Sequence, residues 1–178
     1  MPVWSNSVCM VRLTQIKLPI DLVSFNRKVA SACAGKGVRE VRNILLLENE
    51  EHDVFLFRRA LNKLEFTGNV RIVSNGTEAR EYLEGRGRYV DRAYYPMPDL
   101  IVSDLKMPSQ SGLEFLKWLR DQSGFREIPF VMFSGSGLPV DQNRATELGA
   151  LAYFTKSGDF QTSIDRIRAI LETVKRQP

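Results

Sequence analysis

The sequence predicts an α/β domain in which a parallel sheet of five strands is covered on both faces by five helices. Three observations lead there. From residue 41 onward, short uninterrupted apolar runs alternate with longer stretches whose apolar residues recur at helical spacing. No segment repeats another. Strand–helix–strand alternation of this kind implies parallel neighbours, because each crossover carries a helix and is right-handed.

Each element has its own signal. NILLL (43–47) is a continuous apolar run, as expected of a strand buried on both faces. Residues 51–65 place Val54, Leu56, Phe57, Leu61 and Leu64 at helical spacing. VRIVSN (70–75) reads as a strand and GTEAREYLE (76–84) as the helix after it. DLIVSD (99–104) is a strand, followed by a helix over 111–121 with Leu113, Phe115, Leu116 and Leu119 as its apolar stripe. IPFVMFS (128–134) is the fourth strand, and VDQNRATELG (140–149) is a helix closed by Gly149. ALAYFT (150–155) is the last strand, and 160–175 a final amphipathic helix. In that helix Phe160, Ile164, Ile167, Ile170 and Leu171 read mainly as core; any left exposed would favour a dimer face.

Residues 1–40 stand apart from this pattern, and 41–178 form the expected domain. The first segment carries Trp4, one weak helical stretch over 20–33 and a small-residue patch ended by Gly35 and Gly37. It reads as a basic extension, loosely docked or disordered, or as sequence upstream of the true start. Its GKG lacks the spacing of a phosphate-binding loop.

Composition narrows the function classes. With 43% apolar and 26% charged residues, the 178-residue chain is neither fibrous nor disordered as a whole. No apolar run approaches the roughly 20 residues of a membrane helix, and the N-terminus lacks the pattern of a secretory signal. Cys9 and Cys33 are too few for a disulfide framework and fit a reducing, cytoplasmic setting. A lone His52 leaves no His-rich zinc site. The net charge of +4 is uneven: residues 1–42 hold seven Lys/Arg against Asp21 and Glu40, and the remainder holds 18 against 19. A nearly neutral main domain without a basic stripe argues against nucleic acid as a partner, and nothing points to a membrane.

In doubly wound sheets, function gathers at the carboxyl ends of the strands. The first strand here ends in Glu48-Asn49-Glu50-Glu51, the third in Asp104, the fourth in Ser134 and the fifth in Lys156. Carboxylates and carbonyls at one rim suit Mg²⁺. A carboxylate beside that ion can act as a nucleophile toward a phosphoryl group, a lysine can neutralise a phosphoryl oxygen, and a hydroxyl can donate a hydrogen bond to another. Each residue alone equally fits a helix cap or a solvated surface; the four strand ends together do not.

ILLLENEEHDVFLFRRAL, PDLIVSDLKMPSQSGLEFL, IPFVMFSGSG and GALAYFTKSG carry a resemblance. From Arg42 to Lys175, roughly three quarters of its length, the chain resembles the receiver domain of two-component response regulators. The extended connection EGRGRYVDRAYYPMPDL (84–100) is similar to single-domain members associated with phytochrome-type histidine kinases. The resemblance implies a flavodoxin-like (βα)5 fold with strand order 2-1-3-4-5. It implies that Asp104 is the phosphoacceptor, that Glu48, Asn49, Asp104 and the Lys106 backbone carbonyl hold Mg²⁺, that Ser134 and Lys156 bind the phosphoryl group, and that Tyr153 is an aromatic switch. The implied partners are a sensor histidine kinase or phosphotransfer protein, and a downstream protein. No enzymatic or DNA-binding domain follows the final helix, so output is expected through protein contacts, with a homodimer through the face of the fourth helix, fifth strand and fifth helix as one form.

Two departures stand out. Asn49 replaces the family's usual second Asp and brings no charge to the metal site; Glu50 beside it could compensate if it turned inward. Lys156-Ser157 replaces the usual Lys-Pro, and a cis bond before a non-proline costs about 2.5–4 kcal/mol, so a trans bond is expected. Both departures keep open an alternative, a degenerate receiver that binds partners without phosphorylation. A small phosphohydrolase on a similar fold would need a second base or nucleophile, for which His52 is the sole histidine. A flavin site lacks its phosphate-cradling loop.

Overall fold

The computed structural model describes residues 40–176. The chain divides into two units, Met1–Gly37 and Val38–Pro178; the expected helix over 20–33, Trp4, Cys9 and Cys33 lie outside the described residues.

Five parallel strands, β1 (Asn43–Leu47), β2 (Asn69–Val73), β3 (Leu100–Ser103), β4 (Phe130–Ser134) and β5 (Ala152–Thr155), form one sheet in the order β2-β1-β3-β4-β5. This is the flavodoxin-like order expected from the resemblance. Helices α1 (Glu51–Lys63), α2 (Gly76–Glu84), α3 (Gly112–Asp121), α4 (Pro139–Glu147) and α5 (Phe160–Lys175) alternate with them. Because side chains along a strand alternate between faces, β1 splits its apolar run. Leu45 and Leu47 pack under α2, α3 and α4 with Tyr82, Leu83, Phe115, Leu116 and Leu119. Ile44 and Leu46 face α1 and α5 with Phe57, Leu61, Ile167 and Ile170. Every residue of β3 and β4 is buried, whereas the edge strand β5 is only partly buried throughout and β2 buries only Val73.

Three of the five helix starts are fixed by side chains. Ser111 caps α3 in a reciprocal box with Glu114, Asn75 accepts from the Glu78 N–H at the head of α2, and Asp159 accepts from the Thr162 N–H at the head of α5. The element boundaries differ from the sequence expectation by a residue or two. β4 begins at Phe130 because Pro129 has no N–H to give a ladder, and α4 begins at Pro139, which fits the first helical position.

The connection 85–99 is more ordered than a solvated loop. Tyr89 is 3% exposed in a 3₁₀ turn (Gly87–Tyr89). Its ring meets those of Tyr82 and Tyr95 at 5.0 Å each, and its hydroxyl donates to Glu78 Oε1 at 2.6 Å. Burial and the Glu78 carboxylate push that phenol up to about 12. Arg88 also bonds Glu78, so the Arg86–Tyr89 stretch is tied to the domain. Trp118 stacks on Phe115 with ring centroids 5.5 Å apart. In α5, Ile164, Ile167 and Ile170 are buried, and Phe160 and Leu171 pack against the core while remaining partly exposed. Among the described residues no helix is long and apolar enough to cross a membrane.

Candidate functional site

The carboxyl ends of β1, β3, β4 and β5 bring the predicted side chains to one rim. Parallel register sets Leu47 beside Ser103 and Ser103 beside Met132, so the residues after these strands emerge together. Glu48 is 4%, Asp104 8% and Ser134 1% exposed. The Asp104 N–H donates to Leu47 O at 2.9 Å, which ties the start of its loop to β1. The Leu105 N–H donates to Asp104 Oδ1 at 2.6 Å and leaves Oδ2 turned toward Lys156.

Lys156 is the centre of the site. Its backbone N–H donates to Ser134 O at 2.7 Å, which docks the β5 end on β4. Its ammonium donates to Glu48 Oε2 and, at 2.7 Å, to Asp53 Oδ2, and lies 3.3 Å from Asp104 Oδ2. Burial works to depress the Lys156 pKa; the hydrogen bonds to Asp53 and Glu48 and the Asp104 charge outweigh it and hold the ammonium above its ordinary value. Glu48 is pushed upward by burial, which its bond to Lys156 only partly offsets. No cis peptide occurs among the described residues, so Lys156–Ser157 is trans as expected. The Ser163 hydroxyl donates to Ser157 O at 3.2 Å and steadies that turn.

Asp53 is the side chain at this site that strand-end reasoning missed. It sits in the first turn of α1, where its carboxylate reaches Lys156 across 103 positions of sequence. The one available signal was an acid in the first helical turn after the rim, next to the apolar stripe begun by Val54.

Asn49 Oδ1 is buried and has no hydrogen-bond partner. Its amide nitrogen donates to Glu50 Oε1 at 3.0 Å, so Glu50 orients Asn49 while remaining an exposed side chain. An unpaired buried carbonyl oxygen on the same rim as the buried Glu48 and Asp104 carboxylates is of the ligand type a hard cation takes. Among the described residues no three His, Cys, Asp or Glu side chains converge as a metal cluster; the three carboxylates here converge on the ammonium instead. Lys106 lies exposed in the loop after β3, as does His52 on α1.

Tyr153 is half-buried on β5, and its hydroxyl donates to Ser136 O at 2.8 Å in the β4–α4 loop. Burial raises the phenol pKa, with the Ser136 bond offsetting part of it. The Ser136 N–H in turn points to Ser134 Oγ at 3.3 Å, so Ser134 and Tyr153 are linked through one short loop.

Comparisons with known proteins bear on the family and the fold. The response regulator receiver domain matches residues 44–168. The polar-differentiation response regulator DivK of Brucella anthropi is 30% identical over 131 residues, spanning 73% of this chain and 96% of DivK. The phosphorylated cyanobacterial phytochrome response regulator RcpA is similar in structure with a TM-score of 0.67 at 30% identity, covering 74% of this chain and 91% of RcpA. The Mn²⁺-bound form of response regulator Rcp1 is similar with a TM-score of 0.67 at 26% identity, covering 77% and 96%. Fold, rim and sequence matches together show that the chain belongs to the response regulator receiver domain family.

Proposed function

We propose that this receiver is a working phosphorylation switch in which Asp104 is the acceptor. The observation that supports it most is the ammonium of Lys156 drawn in beside Asp104 Oδ2 at 3.3 Å. In the step proposed, Asp104 Oδ2 attacks phosphorus and forms an acyl phosphate while the bond from phosphorus to the donor's nitrogen or oxygen breaks, its electron pair leaving with the donor. Lys156 stabilises charge on the phosphoryl oxygens as a fixed cation. Glu48, Asn49 Oδ1, Asp104 and the Lys106 carbonyl would hold Mg²⁺, which supplies neutralisation of charge on the transferring group. The donor is a histidine kinase or phosphotransfer protein, and similarity to RcpA supports one of phytochrome type. A phosphorylation-independent binding module is not favoured, because acceptor, lysine and hydroxyl are all present at the rim. The test is incubation with acetyl phosphate and Mg²⁺ followed by intact-mass measurement, with gain of one phosphoryl group expected and an unchanged mass overturning the proposal.

Asn49→Asp is expected to tighten Mg²⁺ binding roughly tenfold, since ligand charge sets the affinity of such sites. Calorimetric titration checks it; equal affinity in the two proteins would mean that Asn49 is not a ligand.

Output is proposed to pass through Tyr153. A phosphoryl group at Asp104 draws the Ser134 hydroxyl, because bonds to anionic acceptors are the stronger ones. The Ser134–Ser136 loop then moves, and Tyr153 loses or shifts its bond to Ser136 O. Leu138 and Val140, 60% and 66% exposed at the head of α4, lie just beyond this loop and offer an apolar surface to a partner or a second copy. Ser134→Ala should leave Asp104 competent while abolishing the change in Tyr153 ring resonances on adding beryllofluoride; an identical ring response in both proteins refutes the coupling.

A further inference from the structure

The role of Asp53 goes beyond the sites assigned above. A lysine ammonium has three N–H donors in tetrahedral arrangement. Here two are committed, one to Glu48 and one to Asp53 at 2.7 Å, which leaves the third on the side of Asp104 Oδ2. The two carboxylates that aim the ammonium differ in kind. Glu48 belongs to the set that would ligate a cation, which would compete with Lys156 for its carboxylate. Asp53 stands outside that set, on α1, with its side chain 32% exposed and no other hydrogen bond among the described residues.

Packing around the largely buried lysine leaves it some room to move. Beside its stem lies a cavity of about 20 Å³, lined by Glu48, Asp53, Phe57, Phe133, Lys156 and Ile167. That is room for one water, so the stem can withdraw if its head is released. We infer that Asp53 is the positioning residue of Lys156, the anchor that keeps the ammonium beside Asp104 when a divalent cation claims Glu48. The inference rests on Asp104 being the phosphoacceptor. In this scheme Asp53 touches neither the phosphoryl group nor the metal; it acts through the lysine alone. It also returns a carboxylate to the rim that Asn49 does not supply, at a position where it orients a cation instead of ligating one.

The test compares Asp53→Ala and Asp53→Asn in the full chain. The direct readout is the Lys156 ammonium resonance in ¹H–¹⁵N spectra of unphosphorylated protein, before and after adding Mg²⁺. A hydrogen-bonded, immobilised ammonium gives a separate, slowly exchanging signal. Wild type is expected to keep it in Mg²⁺, Asp53→Ala to lose it, and Asp53→Asn to retain it, because the amide oxygen still accepts. Initial rates with acetyl phosphate should fall at least about tenfold in Asp53→Ala, as expected when a charge-stabilising group is misplaced, and recover largely in Asp53→Asn. If Asp53 only supplied charge to the first turn of α1, Ala and Asn would behave alike. Equal behaviour of the two variants, or a signal and a rate that survive in Asp53→Ala, overturns the inference. The resonance is read without phosphorylation, so a wild type that gains no phosphoryl mass counts against the acceptor assignment and not against the role of Asp53. Asp53 is a partly exposed helix residue, and urea unfolding of both variants should confirm folded protein.

Discussion

Asp104→Asn should abolish the phosphoryl mass shift, lowering the rate of labelling by on the order of a thousandfold or more, the scale on which removal of a nucleophile is felt. The expectation follows from the way the acceptor is held. Asp104 is 8% exposed, one oxygen receives the Leu105 N–H at 2.6 Å, and the other faces Lys156 at 3.3 Å. An amide keeps the volume and the first of these bonds but is a poor nucleophile, so the loop should persist while the chemistry stops. Circular dichroism and urea unfolding should therefore show folded protein, because Lys156 keeps Glu48 and Asp53 as partners when the Asp104 charge is removed. The measurement is intact mass after incubation with acetyl phosphate and Mg²⁺, repeated with peptide mapping. A residual adduct mapping to Glu48 or Asp53 would show that the rim has a second acceptor. Labelling at the wild-type rate would remove Asp104 from the mechanism.

The sheet was legible because three of its strands are buried on both faces. A central parallel strand has no polar side to show, and NILLL, LIVS and FVMFS announce themselves as apolar runs. The edge strands were harder to bound: β2 carries Arg71, whose guanidinium stacks over Tyr94 at 4.1 Å, and neither edge alternates cleanly. Glu48, Asp104, Ser134 and Lys156 were legible for the same topological reason, since parallel strands end on one side and whatever ends them must meet. Asp53 was not, because its place in the site depends on how α1 lies against the β5–α5 turn. That packing is set by Phe57, Ile164 and Ile167 and leaves no local mark on the sequence around Asp53. The aromatic cluster of Tyr82, Tyr89 and Tyr95 was hidden likewise: a stretch rich in Gly and Arg reads as solvated until the helix it folds against is in place.

Gly112→Ala is the substitution expected to connect packing to chemistry most directly. Gly112 opens α3 directly after its Ser111 cap, and its N–H donates to Leu105 O at 3.0 Å, closing the loop that follows the acceptor. Backbone conformation does not require glycine there, because its φ is not positive. Space does. A Cβ would stand 2.1 Å from the Asp104 carbonyl oxygen and 2.8 Å from Ser103 Oγ, the same hydroxyl that donates to that carbonyl at 2.8 Å. The nearest obstacle is backbone and cannot rotate away, so the start of α3 must retreat from the end of β3. Retreat stretches the Gly112–Leu105 bond and disturbs the peptide that carries Asp104. Forcing a methyl into a closed contact of this kind costs about 1–3 kcal/mol, and we expect the upper end. Gly158→Ala, in the turn after Lys156 where an added Cβ meets nothing within 4 Å, is the matched control and should be neutral or stabilise by up to about 1 kcal/mol. Urea unfolding measures the first effect. The phosphorylation rate per folded molecule measures the second, expected to fall about tenfold or more because a small misplacement of the nucleophile costs that much. Lost stability with an unchanged rate would make the Gly112 contact one of packing alone; an unchanged urea midpoint would show that α3 can slide without strain.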